Sequence, residues 1–365
     1  MSPTREQVLR VLQTVQDPDL KQDLVSLGFI KELTVEGGRV RFTIELTTPA
    51  CPVRDVMKEQ ARVAVQSLPG VSAVDIRMTS QVRPSVGQAG RASAQGLLTP
   101  TIKHIIPVAS GKGGVGKSTV SANVALALSR TGAKVGLMDA DVYGPSIPTI
   151  LGIRLLPEID QARRIIPVQQ DGLKIISMGF FMKPEEAVVW RGPMLHKTVE
   201  QFLGGVDWGE LDYLLVDLPP GTGDVQLSLC QLIPITGAVI VSTPQDVALN
   251  VAQKAIAMFK KLNAPILGIV ENMSHYVCPS CQHREDIFGT GGARQTAERL
   301  GIPFLGEIPL ATPIRVAADQ GQAIVASAPE SLAAKAFTSV AEQLAAQVSI
   351  RAIQGETQPH VKVTF

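Results

Sequence analysis

The segment at 105–119 constrains the fold of this chain more than any other. It fits the pattern G-x-x-x-x-G-K-[S/T], a loop whose glycines let several backbone N–H groups face one point. Apolar residues predict a buried strand at 105–108 before the loop and a helix at 117–130 after it. The positive end of that helix favours an anion, so the loop is suited to a nucleotide's polyphosphate. The expected nucleotide-binding residues are Gly111, Lys112, Gly113, Gly114, Val115, Gly116, Lys117, Ser118 and Thr119.

Two lysines in this loop carry different expectations. Lys117 should reach the β- and γ-phosphates, and the hydroxyl of Ser118 should ligate Mg²⁺. Lys112 follows directly after the first glycine, and here the loop resembles the deviant phosphate loop of the MinD, ParA and nitrogenase-iron-protein class. That resemblance implies that Lys112 acts across a homodimer interface on the nucleotide of the other subunit. The alternative is a solvated lysine on a surface loop.

The composition argues against several classes of partner. The chain has 365 residues, of which 45% are hydrophobic, enough for a sizeable core and two domains. The formal net charge is +1 and no Lys/Arg block occurs, so we expect no nucleic-acid partner. No uncharged apolar run reaches membrane-spanning length, so we expect no membrane association. Four cysteines are too few for a disulfide scaffold, which predicts a soluble cytoplasmic protein with reduced thiols.

The order of patterns predicts two domains of α/β class. We expect a small α/β domain at 1–80, a flexible linker at 81–100, a deviant P-loop ATPase domain at 101–350 and a tail at 351–365. The small domain is predicted to contain helices at 5–15 and 52–67 and strands at 30–35, 39–46 and 71–78.

The larger domain is predicted to hold a mostly parallel sheet flanked by helices, because strand and helix patterns alternate along it. Residues 154–210 are less regular and are interpreted as an insertion. Besides the strand and helix around the loop, the predicted strands are at 134–139, 214–217, 238–243, 265–271 and 303–308, and the clearest helices are at 246–262 and 330–348.

Cys51 is the chemical candidate of the small domain. Short motifs around Asp17-Pro18-Asp19 and at 47–52 resemble the small domain found on iron–sulfur assembly factors. Cys51 precedes a predicted helix, whose dipole lowers a thiol pKa, and Arg54 acts in the same direction. An inert, partly buried thiol is an equal alternative. Cys51 is therefore a candidate accessory thiol.

Three carboxylates follow predicted strands of the larger domain, where the ligand crevice of such a sheet lies. Asp217 ends an apolar strand in the Walker B form and is expected to hold Mg²⁺, and the loop at 218–224 is suited to sensing a γ-phosphate. Asp139 and Asp141 follow the second strand in a segment that resembles switch I of the same class. The resemblance implies that Asp139 positions the metal and Asp141 orients the attacking water. The alternative role is helix capping.

Asn272 ends the predicted strand that precedes a cysteine pair. In the same class an Asn at this point hydrogen-bonds the adenine edge, and the resemblance implies that role here. A turn-forming Asn is the alternative.

Cys278-Pro279-Ser280-Cys281 is the second chemical motif. Two thiolates at this spacing can share one metal centre, but a complete site needs about four ligands. His275 and His283 could complete a single-chain zinc site, although His283 lies close to Cys281 for that geometry. A redox dithiol is another alternative. A two-fold dimer would supply two plus two thiolates.

These motifs together resemble the Mrp/ApbC family of ATP-binding iron–sulfur carrier proteins over residues 101–345. The resemblance implies a homodimer that binds a [4Fe-4S] cluster between its chains, delivers it to apoproteins and hydrolyses ATP slowly. It would make Lys112, Lys117 and Asp141 catalytic, with ATP and Mg²⁺ as cofactors. The alternative is a spatial-organisation ATPase of the MinD or ParA kind, with a structural zinc or a redox cysteine pair.

Overall fold

The chain divides into two compact units, Met1–Arg83 and Pro84–Phe365. The computed structural model describes residues 3–84, 98–99, 101–182 and 192–357. Most of the predicted linker at 81–100 lies outside the described residues, as does the end of the predicted tail, 358–365.

The first unit packs two helices with a three-stranded sheet. The central strand pairs antiparallel with one neighbour and parallel with the other. The hairpin turns at Gly37 and Gly38, both with positive φ. Its elements are α1 (Arg5–Leu12), β1 (Gln16–Asp17), β2 (Gln22–Asp23), β3 (Ile30–Glu36), β4 (Arg39–Leu46), α2 (Arg54–Gln66) and β5 (Ala73–Ser80).

Helix α1 begins with a capping box, in which Thr4 and Gln7 each bond the other's backbone N–H. It ends at Leu12, earlier than the predicted residue 15. The N–H of Val15 bonds the carbonyl of Leu12, a tighter three-residue spacing, and the chain then enters β1. Val15 is buried without being helical, which is why its apolar character misled the prediction.

The second unit is built on a nine-stranded sheet with the order β10-β11-β7-β12-β6-β13-β14-β15, and β16 also pairs with β14. In this order, each neighbouring pair from β11 to β14 is parallel, and so is the pair β14–β16. The pair β14–β15 is antiparallel. Its strands are β6 (Ile102–Ser110), β7 (Val135–Asp139), β10 (Val168–Gln170), β11 (Leu173–Ser177), β12 (Leu211–Asp217), β13 (Ala238–Ser242), β14 (Ile266–Val277), β15 (Arg284–Glu285) and β16 (Phe304–Leu310). A two-stranded hairpin, β8 (Glu158–Ile159) with β9 (Ile165–Ile166), lies outside this sheet.

The central strands are almost wholly apolar and buried, as expected for a parallel sheet covered on both faces. The first helix after the loop is itself buried along most of its length and packs against the last one. The helices of this unit are α3 (Lys117–Arg130), α4 (Ile147–Ile150), α5 (Gly192–Gly204), α6 (Asp224–Leu232), α7 (Asp246–Lys261), α8 (Gly292–Leu300), α9 (Thr312–Asp319), α10 (Ile324–Ser327) and α11 (Leu332–Thr357). Among the described residues, none of the helices has the length and apolar character needed to span a membrane.

Three predictions for this unit were wrong in extent. Strand β14 continues to Val277 rather than ending at 271, because polar residues beyond that point remain paired with β15 and β16. The supposed insertion at 154–210 contains β11, a full member of the sheet beside β7. Helix α11 runs to Thr357, so 351–357 is helical rather than part of a tail.

Candidate functional site

The phosphate loop and two of the predicted carboxylates meet at the carboxyl ends of three adjacent strands. Asp217, the last residue of β12, is in register with Asp139, the last residue of β7, and with Val108 near the end of β6. The loop that follows β6 leads directly into α3. This is the edge of a parallel sheet at which ligands bind.

The glycines of the loop are required by its shape. Gly114 and Gly116 have φ of +81° and +78°, a region that other residues rarely adopt. A Cβ at Gly111 would lie 2.5 Å from the backbone of Val251 and Ala252, so α7 packs directly against the start of the loop. The loop is therefore held in a tight turn with its N–H-rich side available.

Lys117 and Asp217 form a buried ion pair of 2.7 Å between Nζ and Oδ2. The same Oδ2 accepts a hydrogen bond of 2.6 Å from the Ser118 hydroxyl, and Oδ1 accepts one of 2.6 Å from Ser121. Ser121 is not among the residues predicted from the sequence. It lies one helical turn after Lys117 on the same face of α3, a spacing that could have found it.

Asp139 is fully buried beside this cluster. Its Oδ2 accepts hydrogen bonds from Ser177 Oγ at 2.9 Å and from the Ile147 N–H at 3.2 Å. Burial, and then the negative charge of Asp217, raise the pKa of the Asp139 carboxyl to about 7. The hydrogen bonds from Ser177 and Ile147 and the positive charge of Lys117 act in the opposite direction but do not cancel this rise in pKa.

Asp141 lies just beyond, 8% exposed. Its Oδ1 accepts the N–H groups of Tyr143 and Gly144 at 3.2 and 3.3 Å, which folds the following turn around it. Burial raises the pKa of the Asp141 carboxyl. The charges of Lys117 and Asp217 also act on this buried acid, with opposite effects on its pKa, and the side chain of Tyr143 is exposed.

The remaining loop residues are partly exposed. Lys112 is half-buried, and its carbonyl accepts a hydrogen bond from Ser110 Oγ at 3.0 Å. Thr119 is also half-buried, and its carbonyl accepts from Asn123 Nδ2. The role of Lys112 across a dimer stays a prediction.

The segment after Asp217 is fastened to the loop and to α6. The Gly221 N–H bonds the Ser110 carbonyl at 2.9 Å. Gln226 Nε2 donates to the carbonyls of Pro219 at 2.8 Å and Gly221 at 3.1 Å. Among the described residues, Gln226 Oε1 is the one buried side-chain nitrogen or oxygen without a hydrogen-bond partner. Sequence reasoning missed Gln226, because a Gln inside an apolar helix has no motif of its own.

Asn272 contacts the phosphate loop directly. Its Nδ2 donates to the Val115 carbonyl at 2.8 Å, and a Cβ on Gly116 would overlap the same nitrogen. The side chain is 6% exposed. The amide nitrogen is thus engaged with the loop, and adenine contact through the amide oxygen stays a prediction.

The cysteine pair follows β14 in a tight turn. The N–H of Cys278 bonds the His283 carbonyl, and the N–H of Gln282 bonds the Cys278 carbonyl, both at 2.9 Å. Backbone N–H groups of Cys281 and then Ser280 lower the pKa of the Cys278 thiol. Cys278 is half-buried and Cys281 exposed, so the turn presents two thiols at the surface and favours a thiolate.

Neither histidine completes a metal site with these thiols. Within the described residues, no group of three or more His, Cys, Asp and Glu side chains is arranged to hold a metal. His275 Nδ1 instead lies 2.8 Å from Ser274 Oγ. One chain therefore offers two ligands at this point.

The other two cysteines lie apart from this turn. Cys230 packs against the core, and burial raises the pKa of its thiol to about 11. Cys51 is half-buried just before α2, and its carbonyl accepts the Arg54 N–H at 3.3 Å.

Comparison with known protein families adds two matches. Residues 101–345 match the family described as NUBPL iron-transfer P-loop NTPase, and residues 5–76 match the family described as iron-sulfur cluster assembly protein. An iron-sulfur cluster carrier protein of Synechocystis sp. is 47% identical over 363 residues, covering 96% of this chain and 99% of the relative. One of Deinococcus radiodurans is 48% identical over 347 residues, covering 95% and 96%.

Solved structures share the fold of the larger unit. A nucleotide-binding protein from Archaeoglobus fulgidus, in complex with ADP, is 40% identical with a TM-score of 0.55, covering 65% of this chain and 91% of that one. The cell division ATPase MinD of Pyrococcus furiosus is 27% identical with a TM-score of 0.51, covering 66% and 97%. The predicted fold class, a P-loop NTPase domain with a mostly parallel sheet plus a small α/β domain, is confirmed.

Proposed function

The chain belongs to the NUBPL iron-transfer P-loop NTPase family, and on that premise we propose that it is a homodimeric ATPase that carries a [4Fe-4S] cluster to apoproteins. The observation that carries the proposal is the cysteine turn. One chain presents two thiols, Cys278 and Cys281, in the turn directly after β14, and β14 contacts the phosphate loop through Asn272. The proposed nucleotide site and the proposed half of a metal site are therefore joined by one strand.

The nucleotide part of the proposal rests on the phosphate loop. Its N–H groups and the N-terminus of α3 are suited to the phosphates. When ATP binds, Lys117 breaks its ion pair with Asp217 and contacts the β- and γ-phosphates instead. Asn272 and Thr119 complete the proposed contacts with ATP.

The residues around Asp217 fit a Mg²⁺ ion. Mg²⁺ prefers oxygen ligands, and Ser118, Asp139 and Asp217 gather hydroxyl and carboxylate oxygens at one strand edge. When bound, the ion would neutralise the charge on the phosphates. Asp141 would accept a hydrogen bond from the attacking water, and Lys112 of a second copy would supply a further positive charge. Hydrolysis is proposed to be slow.

The cluster is the cargo of the proposed reaction. A cubane cluster takes four thiolates, and each chain supplies Cys278 and Cys281, so two chains are needed. The lowered pKa of the Cys278 thiol favours the thiolate that binds iron. A site shared by two surface turns also opens more readily than a buried one, which suits a donor of clusters.

We further propose that residues 1–80 act as a separate assembly domain, with 81–100 as a linker and Cys51 as an accessory thiol. Cluster ligands must be reduced thiols, which favours a cytoplasmic location. The rival function, a MinD-like spatial ATPase with structural zinc in the cysteine turn, needs ligands beyond the two thiols.

Anaerobic reconstitution with iron and sulfide, followed by iron and sulfide assays, tests the proposal. We expect about four irons per dimer, from the composition of the cluster. Cys278→Ala and Cys281→Ala should abolish binding, whereas the matched control Cys230→Ala should retain it. One zinc per monomer, with no iron uptake, would reject the carrier function.

A further inference from the structure

The Val115–Gly116 peptide group can form a hydrogen bond on each of its two sides. On one side the Val115 carbonyl accepts the hydrogen bond of 2.8 Å from Asn272 Nδ2. A trans peptide is planar, and its C=O and N–H point in opposite directions. With the carbonyl held by Asn272, the N–H of Gly116 is directed to the other side of the loop.

That other side is the phosphate side. In a glycine-rich loop of this pattern the backbone N–H groups bind the phosphates, and Gly116 directly precedes α3, whose N-terminus favours an anion. A phosphate that accepts from the Gly116 N–H polarises the peptide and makes its carbonyl a stronger acceptor. The Asn272 hydrogen bond is then stronger with phosphate bound than without it.

Asn272 lies on the strand that leads to the cysteines. Strand β14 ends at Val277, directly before Cys278. The preceding residue, Glu271, is fully buried, and its two carboxylate oxygens accept the N–H groups of Gly291 at 3.1 Å and Ala293 at 2.8 Å. From Asn272 the strand continues to Val277, the cysteine turn follows it, and the chain returns to α8 at a point held by Glu271.

We propose that Asn272 is a positioning residue that couples phosphate occupancy to the cysteine turn through the Val115–Gly116 peptide. The proposal deepens the function proposed above and rests on it for its biological meaning. Coupling between two sites is reciprocal, so cluster ligation at Cys278 and Cys281 in turn changes nucleotide affinity. Asn272 would thereby link the ATP cycle to the holding or release of the cluster.

The test uses the full-length, cluster-free protein with reduced thiols under anaerobic conditions. The alkylation rates of Cys278 and Cys281 by iodoacetamide are measured by mass spectrometry, without ligand and at saturating Mg-ATP analogue or Mg-triphosphate. In the wild type we expect either ligand to change the rates by about fivefold or more, the lower end of typical coupling between sites. In Asn272→Asp, which keeps the size but cannot donate, the rates should no longer respond to ligand at saturation.

Two comparisons make the result specific. Ser274→Ala is the matched control, because Ser274 is buried on the same strand and bonds the Ile308 carbonyl rather than the loop. It should keep the full ligand response. Inorganic triphosphate has no base, so an Asn272 that acts through adenine alone would leave the triphosphate response of Asn272→Asp intact.

That intact response would overturn the proposal, as would a wild type that does not respond or a Ser274→Ala variant that loses the response equally. Asn272→Ala serves as a second variant if Asn272→Asp does not fold. This assay needs no iron. If the proposed carrier function is wrong, the anaerobic reconstitution shows it separately, as an absence of iron uptake.

Discussion

Lys117 and Asp217 bind each other inside the protein, although each is proposed to bind a different part of Mg-ATP. At the scale of single residues, the site is a set of polar groups that bond one another, and phosphate and metal are proposed to replace those contacts. Ser118 and Ser121 occupy both oxygens of Asp217, and burial beside Asp217 raises the pKa of Asp139 to about 7. Substitutions in this set therefore change both ligand binding and stability.

Lys117→Ala should weaken nucleotide binding and lower the free energy of unfolding. It removes the cation that faces the phosphates and leaves the fully buried Asp217 without its counter-ion, at a cost of about 3–5 kcal/mol. Urea denaturation and equilibrium nucleotide binding measure the two effects. Lys103→Ala is the matched control, because Lys103 pairs with Asp212 nearer the surface and should cost about 0–1 kcal/mol. Equal stability losses in both variants would contradict the assignment.

Asp139→Asn should change how the stability of the metal-free protein depends on pH. The pKa of this carboxyl rises on folding from 3.8 to about 7, so the folded state binds one more proton between those values. The contribution of Asp139 to stability is therefore present at acid pH and is lost as the pH rises to about 7. The stability of the variant relative to the wild type should therefore rise as the pH increases from about 4 to about 7 and then level off. Denaturation with a chelator present measures this, and parallel pH profiles would refute it.

At the scale of elements, the site is made by strand ends and by the loops fastened to them. The loop after β12 is tied to Ser110 by Gly221 and to α6 by Gln226. Gln226→Leu should free the carbonyls of Pro219 and Gly221, which loosens the segment proposed to sense the γ-phosphate.

Hydrogen–deuterium exchange should therefore speed up around Gly221 in Gln226→Leu, and ATP turnover should fall. Cys230→Ala, on the same helix but against the core, serves as the control for helix integrity. An unchanged exchange rate at Gly221 would contradict the proposal that the hydrogen bonds of Gln226 hold this loop in place.

Local patterns were enough to predict the strand–loop–helix unit and the acids at the ends of β7 and β12, because each depends on residues adjacent in sequence. Contacts across the fold were not predictable in this way. The end of β14 could not be predicted, because the side chains of Glu271, Asn272 and Ser274 are polar. Their hydrogen-bond partners lie in α8, the phosphate loop and β16. The same holds for Ser121, whose partner Asp217 lies 96 residues further along the chain. Gln226 bonds carbonyls only five and seven residues before it, but no local motif marks it.

At the scale of the whole molecule, one chain carries two thiols proposed as half of a metal site and a lysine with a proposed role in a second chain. Lys112→Ala should reduce hydrolysis without altering the fold of the single chain. Mixed with Lys117→Ala, it should regain partial activity, because one site of the mixed dimer then carries both substitutions and the other neither. Steady-state ATPase assays on verified mixed dimers measure this, and no recovery would count against action across the interface.

The most direct measurement of the central claim is native mass spectrometry of the anaerobically reconstituted protein. We predict a mass of two chains plus one [4Fe-4S] cluster. The mass of the cluster should be missing in Cys278→Ala and present in Cys230→Ala. A single chain that retains its own metal, whether a zinc ion or a complete cluster, would contradict it.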